Sequence, residues 1–69
     1  MSAIHIFLNG ERREAPELIK MDQLLELFSL PKQRVAIELN KQVVRRTDWP
    51  TTDVSDGDKI EVVHFVGGG

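Results

Sequence analysis

Sixty-nine residues of 7.8 kDa, 41% apolar and 29% charged, make a single small globular domain. The absence of cysteine excludes a disulfide staple, a thiolate nucleophile and a zinc–thiolate site. A net charge of −2 with a pI near 5.6 argues against bulk nucleic-acid affinity, and so short a chain can hardly enclose an active site.

Ala3-Ile4-His5-Ile6-Phe7-Leu8 opens the chain with alternating character, Ile4, Ile6 and Leu8 forming one apolar face of a strand. Asn9-Gly10 follows, the pair preferred in a type I′ turn because both positions take positive φ. Glu11 to Ala15 is the returning strand, polar enough to serve as a protected sheet edge, and Pro16 ends it. The period then changes. Met21, Leu24, Leu25 and Phe28 fall at helical spacing, so one amphipathic helix of Met21 to Leu30 is expected. Asp22 stands at its N-cap or first turn, and Pro31 stops it. A helix of some ten residues is unstable alone and must pack on a sheet.

Val35, Ile37 and Leu39 alternate along a third strand, Asn40-Lys41 turns the chain, and Gln42-Val43-Val44 makes a short fourth. A single helical turn is expected near Arg45 to Pro50, around the only tryptophan, Trp49. Asp56-Gly57-Asp58 is a tight turn, and Lys59 to Val66 is the last strand before Gly67-Gly68-Gly69. The expected core sets Leu24, Leu25, Leu27 or Phe28 against Ile4, Ile6, Leu8, Ile37, Leu39, Ile60 and Val62. Apolar runs stop at two or three residues, and no cationic stretch leads into an apolar one. Neither a signal peptide nor a membrane span is expected, the cytoplasm is the default location, and the bounds favour a small binding or carrier module.

Few side chains suggest chemistry of their own. His5 and His64 fall on opposite faces by alternation and lack a third ligand, so no metal site is expected. Arg12, Arg13, Arg34, Lys41, Arg45 and Arg46 read as solvated charge, with Arg46 and Trp49 forming a packed loop, the indole over the sheet edge. Asp53, Asp56 and Asp58 read as turn residues, because the bidentate glutamate of a calcium loop is missing downstream.

The order of elements, one helix after an N-terminal hairpin and a last strand running into glycines, resembles the ubiquitin-like β-grasp fold. The run from Val35 to Trp49, with Ala36, Asn40, Val43-Val44, Arg46 and Trp49, resembles the ThiS family of sulfur-carrier proteins. So does the stretch from Asp56-Gly57-Asp58 to the terminal glycines, and the likeness covers essentially the whole chain. It implies an α+β fold, a mixed sheet of four to five strands with one helix on one face. Residues 1–66 would form the domain and 67–69 a flexible tail, disordered in the free protein.

The resemblance also implies a non-catalytic carrier for the thiazole ring of thiamine. Gly69 would be adenylated and converted to a thiocarboxylate, while Gly67 and Gly68 thread a partner's channel. The partners implied are an adenylating enzyme of the ubiquitin-activating type, a thiazole synthase and a sulfur-donating enzyme. ATP would be used by the adenylating partner, with no cofactor on the chain itself. The alternatives are the small sulfur-donor subunit of molybdopterin synthase and a ubiquitin-like modifier. In the β-grasp order the first and last strands are central neighbours. Alternation there sends Phe7, Val63 and Phe65 to the face without a helix, where they are expected side by side as a partner-binding surface.

Overall fold

The computed structural model describes residues 2–65. Strands β1 (Ala3–Leu8) and β2 (Glu11–Pro16) form a hairpin closed by Asn9 at φ 50° and Gly10 at φ 84°. Both central turn residues are thus left-handed, which matches the turn's twist to that of the strands. Helix α1 (Met21–Leu27) follows, then β3 (Val35–Leu39), β4 (Gln42–Val44), a 3₁₀ helix (Arg46–Thr51) and β5 (Lys59–His64). The sheet order is β2-β1-β5-β3-β4, so the last strand is central. Among the described residues only the β1–β5 pair is parallel. This is the β-grasp arrangement, a five-stranded mixed sheet with the helix on one face. Val66 and the expected tail 67–69 lie outside the described residues.

The β1–β5 ladder is short because β1 leaves the sheet at its turn. Phe7 N–H donates to the Asp58 carbonyl and Asn9 N–H to the Ile60 carbonyl, both at 2.9 Å. The Asn9 side chain then substitutes for the missing strand, its Oδ1 accepting the Val62 N–H at 2.8 Å. Asn40 does related work at the other end of β5. Its Oδ1 accepts the Lys59 N–H at 2.9 Å and its amide donates to Asp58 Oδ1 at 3.0 Å.

Ile6, Met21, Leu24, Leu25, Ile37 and Ile60 are fully buried and form the centre of the core. Leu8, Val35 and Val62 extend it along the strands, with Ile4, Phe28, Leu30 and Leu39 half-buried at its margin. The expected helix differs in two respects. It ends at Leu27 rather than Leu30, because Ser29 turns left-handed at φ 54°. Ser29 N–H then bonds to the Glu26 carbonyl (3.1 Å) and Leu30 N–H to the Leu25 carbonyl (2.8 Å), a Schellman closure with serine in glycine's usual place. Leu27, offered as a core residue, is half exposed on the outer side of the helix, and Met21 takes its place inside.

The other end of the helix is tied to the loop before β5. Lys20 is the N-cap residue, its N–H donating to Gln23 Oε1 at 2.9 Å, so Asp22 is a first-turn acid rather than the cap. Met21 N–H bonds to the Thr52 carbonyl and Val54 N–H to the Ile19 carbonyl. This short antiparallel contact buries Ile19 and Val54, two core residues outside any periodic segment.

Candidate functional site

The central strand β5 sets the geometry of the site. Ile60 and Val62 point into the core, so Lys59, Glu61 and Val63 face the side of the sheet that carries no helix. Phe65 follows, its N–H donating to the Arg34 carbonyl at 2.8 Å, which prolongs the β3–β5 ladder beyond His64. The glycines expected to carry the chemistry, Gly67, Gly68 and Gly69, lie outside the described residues. The described residues end at Phe65, two positions before the first of these glycines.

Phe7, Val63 and Phe65 are all exposed, at 37%, 44% and 57%. They are not side by side, however. Phe7 pairs with Lys59, whereas Val63 pairs with Ala36 on β3. Lys59 and Val63 are four positions apart, a distance of about 13 Å along the strand. The parallel register is the reason, since β1 reaches only the first residues of β5. Phe7 instead stands between Arg12 on β2 and Lys59 on β5. Val63 and Phe65 make the apolar part next to the exit of the chain, with Ala36 beside them.

One member of this surface was missed. Val43 is 69% exposed and pairs with Glu38, whose side chain lies on the same open face. The two-residue turn at Asn40-Lys41 fixes that register, with Asn40 at φ 52° and Lys41 at φ 71°. Counting outward from the turn would have sent Val44 in and Val43 out. On the helix side Leu18 is 85% exposed and Leu27 half exposed, lining a shallow groove with Pro16, Ile19 and Gln23. No pattern in the sequence marks Leu18, which sits in the loop at φ 65°.

The polar candidates are accounted for locally. His5 lies 3.6 Å from Glu14 on the neighbouring strand, and His64 is exposed across the sheet. Among the described residues no three His, Asp or Glu side chains converge as a metal site. Asp56 Oδ1 accepts the His5 N–H (2.8 Å), Asp58 Oδ2 accepts the Ser55 N–H (2.7 Å), and Asp53 pairs with Lys20. The arginines disperse. Arg13 lies over Phe28 at 5.7 Å, and Arg46 over Trp49 at 4.7 Å. The indole is 4% exposed and donates to the Val44 carbonyl at 3.1 Å, which holds the end of β4 against the core. Glu26 titrates below the ordinary glutamate range, because the Lys32 ammonium donates to it at 2.6 Å and adds its charge.

A catalytic constellation is therefore not what these side chains build. They build a sheet whose central strand ends among the exposed apolar side chains of Val63 and Phe65. Known proteins share this fold. A crystal structure of the thiamine biosynthesis protein ThiS from Geobacter metallireducens superimposes with a TM-score of 0.85 at 30% identity, covering 96% of this chain and 100% of that one. The sulfur carrier protein ThiS of Bacillus subtilis is 37% identical over 49 residues, 71% of this chain and 74% of that protein. A thiazole synthase from Paramagnetospirillum magneticum is 34% identical over 64 residues, 93% of this chain. The chain spans only a fifth of that relative's length. The ThiS family model matches residues 6–69, from the first core residue of β1 through the glycines. With sheet, register and sequence in agreement, the chain belongs to the ThiS family.

Proposed function

We propose that this chain is a sulfur carrier for the thiazole ring of thiamine, with Gly69 as the acceptor of sulfur. The observation that carries the reading is the family match, which runs through residue 69 and so includes the glycines with the folded part. A terminal carboxylate has a pKa of about 3.3–3.7 and is an oxygen nucleophile at neutral pH. In the proposed reaction one carboxylate oxygen attacks the α-phosphate of ATP held by an adenylating enzyme, and pyrophosphate leaves. Sulfide-level sulfur (HS⁻) delivered by a sulfur-donating enzyme then attacks the acyl carbon of the mixed anhydride, a C–S bond forms as the C–O bond to AMP breaks, and AMP leaves with no change of oxidation state. The thiocarboxylate that results passes its sulfur to a thiazole synthase.

The chain's own residues serve this scheme by what they leave unencumbered. Gly67 and Gly68 carry no Cβ, so they suit a narrow channel and φ values closed to other residues. Absence of cysteine fits a carrier that bears its sulfur on the main chain. Phe7, Val63 and Phe65 are assigned to the docking face, with Val63 and Phe65 nearest the glycines. The matching segment within a thiazole synthase supports a synthase as one partner.

Intact-mass measurement on the protein purified from its own host tests the reading. The expected species carries Gly69 at its C-terminus and is heavier than the carboxylate form by the difference between sulfur and oxygen. Isopeptide conjugates to lysines, with no thiocarboxylate in cells making thiamine, would overturn it in favour of a modifier.

A further inference from the structure

The chain has two asparagines, and each opens a two-residue turn between antiparallel strands. Asn9 and Asn40 have similar left-handed backbones, at φ 50° and φ 52°, and both side chains bond to β5. They differ in the residue that follows, Gly10 after one and Lys41 after the other. That difference is chemical. The main-chain nitrogen after an asparagine can attack the side-chain Cγ and close a five-membered ring, and a glycine nitrogen approaches with no Cβ in the way. The space around Gly10 is open, since a Cβ built there would meet nothing within 4 Å.

The folded turn withholds this reaction. The φ of 50° at Asn9 and 84° at Gly10 match a type I′ turn, whose first central residue has ψ of about +30°. At that ψ the Gly10 nitrogen is rotated roughly 150° from Cβ about the Asn9 Cα–C bond, whereas ring closure needs the two nearly eclipsed. The side chain is held too, its Oδ1 accepting the Val62 N–H at 2.8 Å from β5, the central strand. Attack therefore requires the turn to unwind and the Val62 bond to break. The Asn9 N–H bond to the Ile60 carbonyl ties the same residue to β5 through its backbone.

We propose that Asn9 is a masked site of spontaneous deamidation, exposed only when the turn comes away from β5. In the open chain the Gly10 nitrogen bonds to Asn9 Cγ and gives up its proton, the Cγ–Nδ2 bond breaks, and ammonia leaves. Water then opens the succinimide at either carbonyl, and no oxidant or reductant is needed. Hydrolysis at Cγ gives an ordinary aspartyl residue, which keeps an acceptor for Val62 and tolerates positive φ. Hydrolysis at the main-chain carbonyl gives an isoaspartyl residue, whose backbone runs through Cβ and Cγ. The extra main-chain carbon and the displaced carboxylate rebuild neither the two-residue turn nor the bond to Val62. Each opening thus exposes the chain to a permanent loss, and residue 9 records how often the sheet has opened.

The test holds the purified full chain at body temperature and neutral pH, in plain buffer and unfolded in guanidinium chloride. Peptide mapping by mass spectrometry, with fragmentation that separates aspartyl from isoaspartyl, follows both asparagines. The unfolded chain is expected to lose the Asn9 amide at least about tenfold faster than the folded one. Leu24→Ala in plain buffer, its core broken, should approach the unfolded rate. In the unfolded chain Asn40 should react at least about tenfold more slowly than Asn9, because Lys41 keeps its Cβ. After refolding, the isoaspartyl chain should melt below wild type and the aspartyl chain together with Asn9→Asp. Equal rates at Asn9 in folded and unfolded chain overturn the masking. Asn9 reacting no faster than Asn40 in the unfolded chain overturns the site itself. An isoaspartyl chain that melts with wild type overturns the permanent loss.

Discussion

Single residues carry this fold unequally, and the two least replaceable types are core aliphatics and turn asparagines. Ile6 and Leu24 are both 0% exposed, on facing layers of the sheet and helix. Truncating either to alanine removes its buried methyls and leaves a cavity, at a cost of about 2–5 kcal/mol. That equals much of the stability of a domain this small, so both variants are expected to be largely unfolded near body temperature. Urea titration checks this, and a loss below about 1 kcal/mol at both sites would contradict the packing described. Asn9 is a different case. It tolerates a left-handed backbone and supplies the acceptor for the Val62 N–H, whose residue is 8% exposed. Asn9→Ala strands that donor and should cost about 1–3 kcal/mol. Asn9→Asp keeps both the acceptor and the tolerance for positive φ, so its midpoint should stay close to wild type. Equal losses in the two variants would show that the side-chain oxygen is not what matters.

At the scale of elements, the strands were legible and the ends of the helix were not. Period-2 alternation places Ile4, Ile6 and Leu8, then Val35 and Ile37, then Ile60 and Val62, on the core side, as found. Such alternation is robust because a slip by one residue would turn the whole set to solvent. The helix end is hidden because Pro31 is the visible stop in the sequence, whereas a serine in the left-handed position is not a common one. Register between distant strands was also hidden. Nothing local says that Phe7 meets Lys59 rather than Val63, so Phe7, Val63 and Phe65 are exposed as the alternation implies but are not adjacent. Ile19 and Val54 escaped for the same reason, being buried by a contact between two loops. The segment after the helix offers a pH-dependent prediction. Lys32 follows the last turn, which has no basic residue of its own, and reaches back to Glu26. The hydrogen bond and charge of Lys32 lower the Glu26 pKa, so the pair's contribution is present above the unfolded glutamate value and is lost as pH falls through the folded one. Lys32→Ala should therefore melt slightly below wild type at neutral pH, and the difference should vanish in acid. A gap that persists unchanged in acid would assign Lys32 a packing role instead. Both side chains are well exposed, so the effect is small.

For the molecule as a whole, folding and chemistry are assigned to different stretches of one short chain. Among the described residues every core member lies between Ile6 and Val62, and β5 runs to His64. Gly67, Gly68 and Gly69 have no side chains to add to that core, so their replacement should leave its packing untouched. The reaction proposed for Gly69 makes the opposite demand. In that proposal its carboxylate reaches the α-phosphate of a bound nucleotide through a narrow channel, which a bulky side chain at Gly68 would obstruct. Ordering the segment there costs on the order of 1–2 kcal/mol per residue, which contacts with the enzyme must offset and a misplaced side chain would remove. Gly68→Trp and deletion of Gly69 are accordingly expected to melt within error of wild type while abolishing ATP–pyrophosphate exchange by the adenylating enzyme. Core variants invert the pattern: Leu24→Ala lowers the midpoint sharply, yet the fraction that remains folded at low temperature still supports exchange. Normal exchange with Gly68→Trp would break the link between the glycines and the nucleotide pocket. A large drop in its melting temperature would show instead that residue 68 belongs to the folded unit, and that stability and chemistry are not divided in this way.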